Sequence, residues 1–95
     1  MCGILGFFGN SKTSCECFDR KHFIELSKRI RHRGPDWSGV WQHQESKVAI
    51  CHERLSIVGV DSGSQPIDNK ELGIVLSVNG EIYNYQELYK TVLHN

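Results

Sequence analysis

The chain has 95 residues, which bounds it at one small domain, and its 11 basic residues balance 11 acidic ones. That balance gives no basic field for nucleic acid or a membrane surface, and no acidic tail. Apolar residues make up 39% of the chain, enough for a folded core, yet no apolar stretch approaches the ~20 residues that span a bilayer.

The first segment, Cys2-Gly3-Ile4-Leu5-Gly6-Phe7-Phe8-Gly9, has no basic region before it and is punctuated by glycine, unlike a signal peptide. A cytoplasmic protein is expected, with Cys2, Cys15, Cys17 and Cys51 as free thiols. Ile4 to Phe8 reads as a buried strand that ends in the turn Gly9-Asn10, and residues 10–18 read as a polar loop. Over residues 20–31, Phe23, Ile24, Leu26 and Ile30 recur at helical spacing, with Asp19 as N-cap and Arg29 and Arg31 at the C-terminal end of the dipole. Arg33-Gly34-Pro35-Asp36 breaks that pattern.

Val48-Ala49-Ile50-Cys51 reads as a buried strand, and Leu55-Ser56-Ile57-Val58 as another short one. Asp61-Ser62-Gly63-Ser64 has turn chemistry. The clearest strand is Ile74-Val75-Leu76-Ser77-Val78, which runs into Asn79-Gly80, a pair that tolerates positive φ. Asn84 and Glu87 have capping-box spacing before a helix whose core face is Tyr85, Leu88, Tyr89 and Val92. This mixed order predicts an α+β or layered α/β domain. Its sheet looks incomplete, with an open edge and an uncovered apolar face, so the segment reads as cut rather than finished.

Cys2 follows the initiator Met1, whose removal makes it the N-terminal residue. As free groups a thiol titrates near ~8.5 and an α-amine near ~8, so a proton passes between them at little cost near neutrality. The amine then serves as base for its own nucleophile. Gly3 leaves the approach uncrowded. The plainer reading of such a cysteine is a small buried residue.

Met1-Cys2-Gly3-Ile4 resembles the start of class II glutamine amidotransferases, which are N-terminal nucleophile hydrolases. Further blocks agree in order: Arg31-His32-Arg33-Gly34-Pro35-Asp36-Trp37-Ser38-Gly39, His52-Glu53-Arg54-Leu55-Ser56-Ile57-Val58, Gln65-Pro66 and Val78-Asn79-Gly80-Glu81-Ile82-Tyr83-Asn84. Together they resemble the glutaminase domain of the asparagine synthetase family. The resemblance implies part of an αββα four-layer sandwich, with residues 1–95 as the N-terminal portion of a glutaminase domain and the synthetase domain absent.

It also implies roles. Cys2 would be the nucleophile, and Asn79 and Gly80 would form the oxyanion hole. Arg54 would hold glutamine's α-carboxylate, with Leu55, Ser56, Ile57 and Val58 lining the pocket and Glu81 near the α-amino group. Arg33, Gly34, Pro35, Asp36 and Trp37 would belong to a loop that closes over the substrate. A further aspartate of the family's site would lie beyond Asn95.

Read without the resemblance, Asn79-Gly80 is a hairpin turn, Arg54 a solvated charge, Glu81 a surface carboxylate and residues 33–39 a surface turn. Cys15 and Cys17 with His22 lack the spacing and the fourth ligand of a zinc site, so no metal is expected. His52 reads as structural.

The expected activity is hydrolysis of glutamine through a Cys2 thioester, with ammonia passing to an ATP-dependent synthetase domain that makes asparagine from aspartate. No cofactor is expected in this segment; ATP and magnesium belong to the synthetase domain, and the family resemblance allows a homodimer of the full-length protein. The alternatives are a non-catalytic fragment acting as an interaction module, and another class II amidotransferase.

Overall fold

In chain order, the computed structural model places β1 (Gly3–Phe8), α1 (Arg20–Lys28), one 3₁₀ turn (Arg31–Arg33), β2 (Trp37–His43), β3 (Val48–Arg54), β4 (Ile67–Asn69), β5 (Ile74–Leu76) and α2 (Tyr85–Thr91). It describes residues 2–13, 18–55 and 63–93. The class is α+β: an antiparallel sheet in the order β1-β3-β2, a β4-β5 hairpin and two helices among the described residues.

β3 is the strand on which the rest is arranged. Side chains alternate across a strand, so Ala49, Cys51 and Glu53 share one face and Ile50, His52 and Arg54 the other. The register sets Leu5 and Val40 beside Cys51, and Phe7 beside Ala49, on the first face. Helix α1 covers that face with Phe23, and Phe18 joins it. The rings of Phe7, Phe18 and Phe23 meet pairwise with centroids 5.1–5.7 Å apart, at tilted or edge-on angles. Burying rings of this size contributes about 2–3 kcal/mol each. Phe18 falls in what reads as a polar loop, yet it is a core residue.

A buried polar cluster also sits within this layer. Glu53, only 2% exposed, accepts a hydrogen bond from Ser27 Oγ of α1 at 2.5 Å and one from Ser38 Oγ of β2 at 2.6 Å. Both carboxylate oxygens are thereby satisfied, which a buried charge requires. The contact joins the helix to two strands of the sheet.

Several expectations need correction. β1 is not buried throughout: Ile4 and Phe8 face outward while Gly3, Leu5 and Phe7 face in. Helix α1 stops at Lys28, where the Arg29 and Ile30 N–H groups turn to carbonyls three residues back, and Arg31 falls in the 3₁₀ turn. Asp19 occupies the N-cap position without a side-chain capping bond. β3 runs to Arg54, further than its apolar run suggests. The strand at 74–78 shortens to Ile74–Leu76 and pairs with β4, through a turn in which Gly73 has φ +63°. Asn79 and Gly80 form no hairpin and neither has positive φ. The strand expected at 55–58 lies outside the described residues beyond Leu55, which is irregular.

Helix α2 departs furthest from its reading. Asn84 makes no side-chain cap, and the capping box with Glu87 does not form, because Asn84 sits at φ −98°, ψ 27° rather than in the extended region that aims the side chain back at the helix. Tyr85, Tyr89 and Val92 are at least 60% exposed rather than core-facing, for no described strand lies over that face.

On the opposite face of β3 the segment around Gln65-Pro66, whose peptide bond is cis, packs on Gly39. A Cβ added to Gly39 would fall 1.8 Å from the Gln65 carbonyl oxygen, so only glycine admits this approach. His52 is fully buried on the same face, and Nδ1 shares a 2.7 Å hydrogen bond with Ser77 Oγ. Burial first, and then the neighbouring Arg54 charge, hold its imidazole below the ordinary value, with Glu53 acting the other way.

Removing Ser27 Oγ leaves one oxygen of a buried carboxylate short of a donor, so Ser27→Ala is expected to cost about 2 kcal/mol in urea denaturation. A change below about 0.5 kcal/mol would show that the clamp does not hold α1 to the sheet. A second expectation concerns acid. The unfolded chain's imidazole takes up a proton as pH falls through about 6.5, while the folded one resists until lower pH. Stability should therefore drop as pH falls below about 6.5 and level off under the folded value. Urea midpoints at pH 7.5 and 5.5 check this, and His52→Asn should lessen the difference; an equal difference in both proteins contradicts it.

Candidate active site

The register of β1 on β3 decides what surrounds Cys2. Gly3 pairs with Glu53, so the residue before Gly3 is carried alongside the end of β3, at Arg54 and Leu55. The Leu55 N–H donates to Cys2 Sγ at 3.4 Å, and the thiol lies 3.9 Å from the Leu55 carbonyl oxygen as a weak donor. That N–H ties the sulfur to the end of β3. Cys2 is half-buried.

The Cys2 carbonyl oxygen accepts two further bonds, from Arg33 Nε at 3.1 Å and from Asn79 Nδ2 at 3.3 Å. Three distant parts of the chain thus meet at one residue. Each has an evident local cause. Arg33 ends the 3₁₀ turn, and Gly34 presses that turn onto β3 so closely that an added Cβ would lie 2.2 Å from the Glu53 carbonyl oxygen. The Asp36 N–H then donates to the Arg54 carbonyl at 3.0 Å, which leads the chain into β2. Asn79 follows β5 in an irregular segment whose Val78 N–H donates to Gln65 Oε1 at 2.8 Å. At Gly3, a Cβ would stand 3.1 Å from Ile30 Cδ1 and 3.2 Å from the Ile30 carbonyl oxygen, so the backbone beside Cys2 rests against the end of α1.

The other residues singled out in the sequence fall around this centre. Arg54 is half-buried at the end of β3, with Nη2 beside Gly63. Gly80 and Glu81 follow Asn79 and are exposed. Pro35 and Asp36 form an exposed turn, and Trp37, 51% exposed, begins β2 opposite Arg54 rather than lying in a loop. Ser56, Ile57 and Val58 lie outside the described residues, as do Met1, Cys15 and Cys17.

Cys51 offers a contrast. Burial, and then the Glu53 carboxylate, push its thiol up to about 11, and it donates weakly to the Phe23 carbonyl at 3.8 Å. That is a packing cysteine. Among the described residues no cluster of three His, Cys, Asp or Glu side chains has metal-binding geometry, and no helix is long and apolar enough to cross a membrane.

Sequence reasoning missed three contacts. Arg33 bonding to Cys2 was not foreseen, since its motif reads as a surface or closing loop. Ser77 and Gln65 were not singled out for a role either, although Gln65-Pro66 stands within one of the recognised blocks. The one signal for Gln65 was its place beside proline.

Comparison with known proteins agrees with the motif reading. A family model described as a glutamine amidotransferase domain matches residues 1–95. The chain is similar to an asparagine synthetase [glutamine-hydrolyzing] of Brassica oleracea, with 51% identity over 90 residues, covering 95% of this chain and 15% of that protein. A nodule asparagine synthetase [glutamine-hydrolyzing] of Pisum sativum is 50% identical over 90 residues, with the same coverage. A probable asparagine synthetase [glutamine-hydrolyzing] of Dictyostelium discoideum is 47% identical over 88 residues, 93% of this chain and 15% of that protein. The chain spans about 15% of the length of these relatives. By the family match over its whole length, the chain belongs to the glutamine amidotransferase domain family.

Proposed function

We propose that residues 1–95 are the front portion of the glutaminase domain of a glutamine-hydrolysing asparagine synthetase, and that Cys2 is its nucleophile. The observation that carries this reading is the meeting of Leu55, Asn79 and Arg33 on Cys2. Removal of Met1 frees the Cys2 amine, which takes the thiol proton. The thiolate attacks the side-chain carbonyl carbon of glutamine, and the carbonyl π electrons move onto oxygen. Collapse of the tetrahedral intermediate expels ammonia, protonated by the same amine, and leaves a γ-glutamyl thioester. Water then releases glutamate and restores the thiol.

Asn79 Nδ2 and the Gly80 N–H are the proposed oxyanion donors. In the structure the Asn79 amide is engaged by the Cys2 carbonyl, so it turns from that oxygen to the substrate's. Arg54 clamps the α-carboxylate with its planar fork. Residues 55–58 line the pocket, Glu81 receives the α-ammonium, and the exposed turn at Pro35 and Asp36, between Arg33 and Trp37, covers the substrate.

The reading extends to a four-layer N-terminal nucleophile fold, a cytoplasmic location and a homodimeric full-length protein. A synthetase domain would receive the ammonia and use ATP and magnesium.

A second reading, a non-catalytic interaction module, is favoured by one observation. Ile67, Leu72, Ile74, Leu76, Tyr89 and Val92 are all about half exposed or more.

Two measurements test the enzymatic reading. Cys2→Ala should lower glutamate release from glutamine by about 10³-fold or more and abolish labelling by a glutamine-like electrophile. Mass spectrometry should place that label on a chain lacking Met1, and a folded chain that is neither labelled nor active would sink the proposal. Arg54→Lys keeps the charge and loses the fork, so KM for glutamine should rise about tenfold or more while kcat stays within about threefold. An unchanged KM would remove Arg54 from the carboxylate site.

A further inference from the structure

His52 lies on the face of the sheet turned away from α1, between Ile4 of β1 and Gly39 of β2 in the register. Its ring is fully buried. Nδ1 is bonded to Ser77 Oγ at 2.7 Å, and Ser77's hydroxyl can rotate to serve either tautomer. Nε2 is buried and has no hydrogen-bond partner among the described residues. An apolar side chain of similar volume would fill the space without leaving a nitrogen unsatisfied. What imidazole supplies beyond volume is the bond to Ser77.

Ser77 precedes Asn79 by two residues, in a stretch with no regular structure between the end of β5 at Leu76 and the start of α2 at Tyr85. No ladder of backbone bonds fixes such a stretch, so its placement rests on individual ties. Two ties are in view. One is His52 to Ser77, and the other is the Val78 N–H to Gln65 Oε1 at 2.8 Å. Both lead back to the same part of the sheet, because Gln65 sits on Gly39, the register partner of His52. Beyond them Asn79 reaches Cys2 at 3.3 Å.

We propose that His52 is a positioning residue that acts through Ser77 to set Asn79 and Gly80 against Cys2. Its consequence for catalysis rests on the glutaminase reading above. His52 does not touch the reacting atoms: its effect passes along the backbone from Ser77 to Asn79. An oxyanion donor acts on the transition state, so displacing Asn79 lowers kcat more than it raises KM.

The test uses the full chain and three substitutions. His52→Leu keeps volume and loses the tie, Ser77→Ala removes the tie from the other side, and His52→Asn restores a polar atom at the Nδ1 position without the buried Nε2. The first two should lower kcat for glutamate release about tenfold or more, with KM for glutamine within about twofold, while His52→Asn stays within about threefold of the wild-type kcat. Activity is counted per folded molecule from the near-ultraviolet signal. An unaltered kcat in folded Ser77→Ala and His52→Leu overturns the proposal. Absence of glutamate release by the wild-type chain would instead sink the glutaminase reading. The positioning is then read from the Asn79 side-chain ¹⁵N–¹H₂ resonances. They should shift in His52→Leu and Ser77→Ala and return in His52→Asn; resonances that do not move overturn it.

Discussion

A carboxylate enclosed by two serine hydroxyls holds the principal layer of this protein in place. Glu53 is the point where α1, β2 and β3 are joined by something more directional than apolar contact. The phenylalanine cluster favours burial but tolerates sliding, whereas a carboxylate taken from water is stable only where its donors stand. From this point the neighbouring geometry follows. The backbone of Glu53 receives Gly34, the turn before Gly34 delivers Arg33, and the residue paired with Glu53 is the one that follows Cys2.

The two faces of β3 divide the work. Facing α1 are Ala49, Cys51 and Glu53, which make the core. Facing away are His52 and Arg54, turned toward the segments that carry Gln65, Ser77 and Gly63. A slip of one residue in the register would exchange these sets. It would bury the polar residues under α1 and expose the core thiol. The clamp from Ser38 and Ser27 to Glu53 is therefore also a register mark, since serines can satisfy a carboxylate but not a valine.

The parts of the fold legible in the sequence are those with strong local patterns. The apolar runs at Ile4 and Val48 and the helical spacing around Phe23 all correspond to elements. β2 was not legible because Ser38, Gly39 and Gln42 interrupt its pattern. Two of those residues are there for their partners: Ser38 for Glu53 and Gly39 for the Gln65 backbone. Asn79-Gly80 misled for the opposite reason, since its turn propensity is strong but tertiary ties place it in irregular backbone. At the candidate site, the motifs named Cys2, Leu55 and Asn79, and the structure sets them within hydrogen-bonding reach. Arg33 reaching Cys2 and His52 reaching Ser77 span 31 and 25 residues, and no local pattern encodes contacts of that range.

The bond from Asn79 to the Cys2 carbonyl has a consequence for how an empty site differs from a filled one. With no substrate bound, one hydrogen of this exposed amide is already given to an internal acceptor. In the proposed reaction the incoming oxygen takes the amide's second hydrogen or competes with the Cys2 carbonyl for the first. Exchanging one neutral acceptor for another is nearly balanced, to within about 1 kcal/mol, but exchanging a neutral carbonyl for an oxyanion favours the charged one by roughly twofold in bond strength. Such a swap discriminates by charge. It is indifferent to the resting amide and responds when negative charge develops.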